Sequence, residues 1–106
     1  MPMLMVTSDD IPGREISETV GLVMGNAVRA RHVGRDITAG LKNLVGGEIG
    51  AYQKLLSETR AQAMERMQAE AEAQGADAIV ALRMATSSIT GGASEVVAYG
   101  TAVRLR

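Results

Sequence analysis

A long uninterrupted helical register, held between glycines, limits what this chain can build. Residues 49–74 contain no proline or glycine other than Gly50, and Tyr52, Leu55, Leu56, Thr59, Ala63, Met67 and Ala71 recur at spacings of three and four. Those spacings put them on one face of an α-helix. The opposite face carries Lys54, Glu58, Glu65 and Glu72. Gly75 is placed as the C-terminal cap, and Gly46 and Gly47 separate this helix from a shorter one before it. The shorter helix runs from Asp36, a natural N-cap, and carries Ile37, Leu41, Leu44 and Val45 on one face.

The flanking segments have strand character. Residues 3–7 are apolar and suit a short strand, and "SDDIPGR" then supplies a turn. Residues 15–30 alternate, with Ile16, Val20, Leu22, Met24 and Val28 at even positions, which predicts one long strand or two strands joined by a bend at Gly25. "ADAIVALRM" is apolar on both sides, as expected of a strand covered on both faces. "TSSITGGAS" is a polar turn. The final strand, residues 95–104, puts Val97, Tyr99, Thr101, Val103 and Leu105 on one side and Val96, Ala98, Gly100 and Ala102 on the other. The order is β-β-α-α-β-β. It predicts a single α+β domain over residues 1–106, an antiparallel sheet with a short and a long helix on one face.

Composition bears on assembly and on excluded functions. The only aromatic residues are Tyr52 and Tyr99. Aromatic side chains bury about 150–250 Å² each, so this core is thin, and small chains with thin cores often oligomerise. The formal net charge of -1 argues against a nucleic-acid binder, which usually carries a strongly basic face. No segment approaches the ~18–20 apolar residues that span a bilayer, and the N-terminal residues lack the basic start and apolar run of a signal peptide. The expectation is a soluble cytoplasmic protein.

Catalysis is not expected. The chain has no Cys, no nucleophile-elbow serine, no His-Glu-x-x-His and one histidine, His32. "VGGEIGAY" lacks the Lys-Ser/Thr of a phosphate-binding loop and the strand before a dinucleotide turn, so its glycines are read as structural. Two other clusters could carry chemistry. Met3 and Met5 lie on one side of an extended segment, and thioethers are soft ligands suited to Cu(I). Methionines also fill gaps in apolar layers, a role open to Met24, Met64, Met67 and Met84. His32 is a further candidate metal ligand if assembly brings several copies together. Arg29, Arg31 and Arg35 gather just before the first helix, where guanidinium groups and a helix N-terminus both favour an anion. The Asp9–Asp10 pair could weakly hold a hard divalent cation.

Gly34-Arg35-Asp36, Val45-Gly46-Gly47 followed by Gly50-Ala51-Tyr52, and Gly75-Ala76-Asp77-Ala78 together resemble the YbjQ-like family over essentially the whole chain. These are small bacterial proteins with a heavy-metal-binding label. The resemblance implies a compact α+β subunit, similar in topology to dodecin-like subunits, that assembles into a homopentameric ring. On the strand after Ala78, where family members carry acidic residues, this chain reads "ALRMATSS", with Arg83 in place of a carboxylate. Two functions fit. One is an oligomeric binding protein holding a metal ion or small ligand between subunits. The other is a structural ring acting through protein partners without a ligand.

Overall fold

The computed structural model describes residues 3–29, 47–89 and 93–106. It contains β1 (Leu4–Met5), β2 (Ile16–Arg29), α1 (Gly47–Ala73), β3 (Ala78–Ile89) and β4 (Ala93–Leu105). The strands form one sheet in the order β1-β3-β4-β2, with α1 lying mainly on β2 and β4 and scarcely touching β3. The α+β class expected from the sequence is observed. The segment assigned to the shorter helix, residues 36–45, lies outside the described residues.

The helix buries the predicted stripe: Thr59, Ala63, Met67 and Ala71 are all buried. They meet Val23 and Ala27 of β2, Ile79 and Leu82 of β3, and Val96, Ala98 and Ala102 of β4. Most of these side chains are small, so helix and sheet come close together. Gly25 marks the closest approach. A Cβ there would collide with the Met67 nitrogen and the Ala63 oxygen, and would lie 2.8 Å from the Arg66 carbonyl carbon. Gly25 is therefore a contact point inside one continuous 14-residue strand, and of the two alternatives at this position the long strand is observed.

The helix ends as Gly75 predicts. Gly75 has φ +78°, its N–H donates to the Glu72 carbonyl, and the Ala76 N–H donates to Ala71. This is a Schellman closure, with Ala76 packed against the core that contains Ala71. Asp77 then ties the exit to β4: its N–H donates to the Val103 carbonyl, and its Oδ2 accepts from the Leu105 N–H at 2.9 Å.

Three features differ from the sequence expectation. The sheet is mixed, because β1 runs parallel to β3, pairing Leu4 with Ala78 and Met5 with Ile79. From β1 the chain crosses the opposite sheet face to reach β2 at the far edge. On the way, Pro12 and Gly13 form a turn closed by Arg14 N–H to the Ile11 carbonyl, with Gly13 at φ +81°. Ile11 thereby covers Ala78, Val80 and Val103 on the back of the sheet. Secondly, β3 continues through Thr86 and Ser87 to Ile89, which pairs with Ala93, where a turn was expected. Polar side chains are compatible with that extension because Thr86 and Ser87 are exposed. Thirdly, after the irregularity at Thr19–Gly21 the even-position apolar residues of β2 do not face the helix, although Val20 within it packs against the helix-side core. Val23, Gly25 and Ala27 are buried, whereas Leu22, Met24 and Val28 are exposed.

A bulge in β3 sets its facing. Val80 pairs with Thr101 and Arg83 with Tyr99, so Ala81 and Leu82 oppose Gly100 alone. Ala81 takes the left-handed conformation, φ +54°. As a result Ile79 and Leu82, three apart, both join the core beneath the helix.

Gly25→Ala should test the closest approach. The added methyl meets helix backbone that cannot rotate aside, so a loss of about 3 kcal/mol is expected, at the upper end for overpacking. Urea denaturation of Gly25→Ala against wild type measures it.

Candidate functional site

Between the flank of α1 and the short edge strand β1 lies an open groove of about 430 Å³. Met5 lines it from β1; Ala61, Met64, Glu65, Gln68, Ala69 and Glu72 line it from the helix. The helical contributors recur at spacings of three and four, one row round from the buried stripe. The groove lies where α1, centred on β2 and β4, leaves its flank open towards β1, while Ile79 and Leu82 of β3 stay buried in the core. Met5 and Met64 are half-buried and pack against the main core, as does Met3. Glu65 and Glu72 are exposed, and Gln68 Nε2 donates to Glu72 Oε1 at 2.9 Å.

The candidates separate as follows. Met5 reaches the groove; Met3 lies against the core and is not among the groove-lining residues. Arg29 ends β2, where it pairs with Ser94. Arg31, His32 and Arg35 lie outside the described residues. Asp9 and Asp10 are exposed in the turn, with Ser8 Oγ donating to the Asp10 carbonyl at 2.7 Å. The other methionines divide three ways: Met67 is fully buried, Met24 and Met84 are exposed, and Met64 joins Met5. The sequence did not single out Met64, because it lies one position off the buried stripe and reads as another gap-filling methionine.

A second region is the open back of the sheet. The row Leu22–Thr101–Val80 borders the end covered by Ile11, and beyond it cross-strand neighbours form the rows Met24–Tyr99–Arg83 and Asn26–Val97–Ala85. Leu22 is 63% exposed, Met24 46% and Val28 45%. Asn26 Nδ2 donates to Glu95 Oε2 at 2.9 Å within this face, and Arg83 donates to the Thr7 and Leu82 carbonyls at 2.9 and 2.8 Å.

With this geometry established, the relatives become informative. The family described as "Putative heavy-metal-binding" matches residues 3–106. The chain belongs to this YbjQ family. It is 59% identical to a UPF0145 protein of Photobacterium profundum, over 97% of this chain and 100% of that one. It is 53% identical to a UPF0145 protein of Archaeoglobus fulgidus, over 98% and 96%, so the family extends beyond the bacteria of the sequence expectation. A crystal structure of a protein of unknown function from Pediococcus pentosaceus, assigned to the DUF74 family, superposes with a TM-score of 0.66. It has 17% identity and covers 98% of both chains; at that identity the likeness speaks for the fold alone.

The family's description raises a metal, and the donors define which kind would fit. Among the described residues no group of three or more His, Cys, Asp or Glu is positioned to hold a metal ion. The groove is instead lined by Met5 and Met64, whose side chains are thioethers, together with Gln68, Glu65 and Glu72. Thioethers select soft ions such as Cu(I) over Mg²⁺ or Ca²⁺. Among the described residues no helix is long and apolar enough to cross a membrane.

Met64 and Met67 should differ in what they support. Met64→Ala truncates a half-buried side chain beside an open groove and should cost less than about 2 kcal/mol. Met67→Ala empties the core and should cost about 2–5 kcal/mol. Chemical denaturation of the two variants measures the difference, and equal losses would show that Met64 is as much a core residue as Met67.

Proposed function

We propose that this protein is a non-catalytic, oligomeric binding protein that takes up a soft monovalent metal ion through Met5 and Met64. One observation supports the reading above the others: two thioethers from separate elements line a single open groove. Met67, by contrast, is fully enclosed in the core. The family's description points the same way. Met5 and Met64 would hold the ion, and Gln68 and the two glutamates would shape its surroundings. In this reading His32, Arg29, Arg31 and Arg35 are not needed for the soft ion.

The experiment is titration of tag-free protein with Ag(I), and with Cu(I) under anaerobic conditions against a competing chelator. One ion per chain is expected. Uptake should fall at least about ten-fold in the Met5→Leu, Met64→Leu double variant, while Met24→Leu, outside the groove, should bind as wild type does. Undiminished uptake by the double variant would remove the groove from the function.

The second reading, a ring acting through protein contacts, is favoured by the open sheet face. Monomeric soluble proteins seldom leave contiguous apolar patches beyond a few hundred Å², and Leu22, Met24, Val28, Val97 and Tyr99 are all on this side. A further copy of the chain, in a pentameric ring, is the proposed occupant. Native mass spectrometry tests it: Val97→Asp should shift the assembly towards monomer, and an intact oligomer would show that the face is not an interface.

A further inference from the structure

The outer edge of β2 is occupied by the protein's own helix. Among the described residues β2 is an edge strand, paired with β4 on one side only. In an edge strand, alternate residues turn their N–H and C=O groups away from the neighbour, and such a row is a template for pairing with another chain. In β2 two of these groups are engaged. The Met24 N–H donates to Glu70 Oε2 at 3.4 Å, and the Asn26 carbonyl accepts from Arg66 Nη1 at 2.6 Å. Arg66 and Glu70 are four apart on α1, one turn, so both project to the same side of the helix.

Gly25, between Met24 and Asn26, is what brings them within reach. Without a Cβ at this point, the helix backbone at residues 63–67 rests directly on the strand. Arg66 and Glu70 then extend past the strand's rim while their own helix remains docked. Both residues are exposed, so they do not fill the core; their charged ends are directed at backbone groups. By contrast, the far side of the sheet has only the two-residue β1, and β3 beyond Leu82 pairs with β4 alone among the described residues.

We propose that Arg66 and Glu70 form an edge guard: they hold the outward backbone groups of β2 so that this edge does not accept a strand from a second copy of the chain. The guard is independent of the metal reading, since neither residue lines the groove. It also limits assembly geometry, because contacts between copies that leave the guard in place cannot extend the sheet through β2.

Amide hydrogen exchange tests the guard. In an Arg66→Ala, Glu70→Ala double variant the Met24 amide should exchange about ten-fold faster than in wild type, and species larger than the wild-type assembly should accumulate with concentration. Alanine is the best helix former, so α1 should persist; protected amides at Val23 and Ala27 verify it. If those open too, Glu70→Ala alone gives the same reading at Met24. Arg66→Lys with Glu70→Gln keeps a donor and an acceptor and should restore wild-type behaviour. Unchanged Met24 exchange and unchanged assembly size in the alanine variants would overturn the guard. So would wild-type protection at Met24 that disappears on dilution as the assembly dissociates, because a neighbouring strand would then hold that N–H.

Discussion

The direct seating of α1 on β2 at Gly25 is the contact on which the remaining structure depends. A core without Phe or Trp cannot gain stability from large buried rings, so it must gain it from closeness. Ala63 and Ala71 on the helix face Ala27, Ala98 and Ala102 on the sheet, and small side chains let backbones approach. At Gly25 the approach leaves no room for a single methyl. Dispersion attraction falls steeply with distance, so this contact does work that bulk does elsewhere. It also commits the helix to the β2 side of the sheet.

That commitment shapes both functional regions. Because α1 is centred over β2 and β4, a groove stays open between its flank and β1, and Met5 and Met64 line it. The same offset carries Arg66 and Glu70 past the rim of β2. On the other face, the crossing segment with Ile11 covers only the end of the sheet around Val80 and Val103, leaving Leu22, Met24 and Val28 exposed. A groove, a blocked edge and an open apolar face are three consequences of where one helix and one short crossing rest.

Much of the fold was readable from local chemistry. The stripe Thr59–Ala63–Met67–Ala71 and the Gly75 stop are local patterns, and the structure contains them; β3 is covered on both faces only around Ala78–Val80, with Arg83, Met84 and Ala85 exposed. The facing of β2 was not readable. Its even positions carry the larger apolar side chains, and a pattern argument sends the larger residues inward. The helix selected the other face, because Val23, Gly25 and Ala27 present a surface low enough to accept a backbone. The extension of β3 through Thr86 and Ser87 was hidden for a related reason: polar residues signal a turn only where no partner strand continues beside them. Of the candidate site, Met5 was legible from its soft donor atom, and Met64 was obscured by its nearness to a buried stripe.

The sequence by itself determined the class of elements, the small-residue character of the core and the absence of thiol chemistry, since these follow from residue type and spacing over a few turns. It also carried the family relationship. Only the tertiary structure decided which face of β2 is buried, that β1 runs parallel to β3 at the far edge, that Met5 and Met64 line one groove, and that Arg66 and Glu70 reach a strand edge. Each of these joins residues distant along the chain. Spacing cannot specify such meetings, because they depend on where rigid elements come to rest against one another.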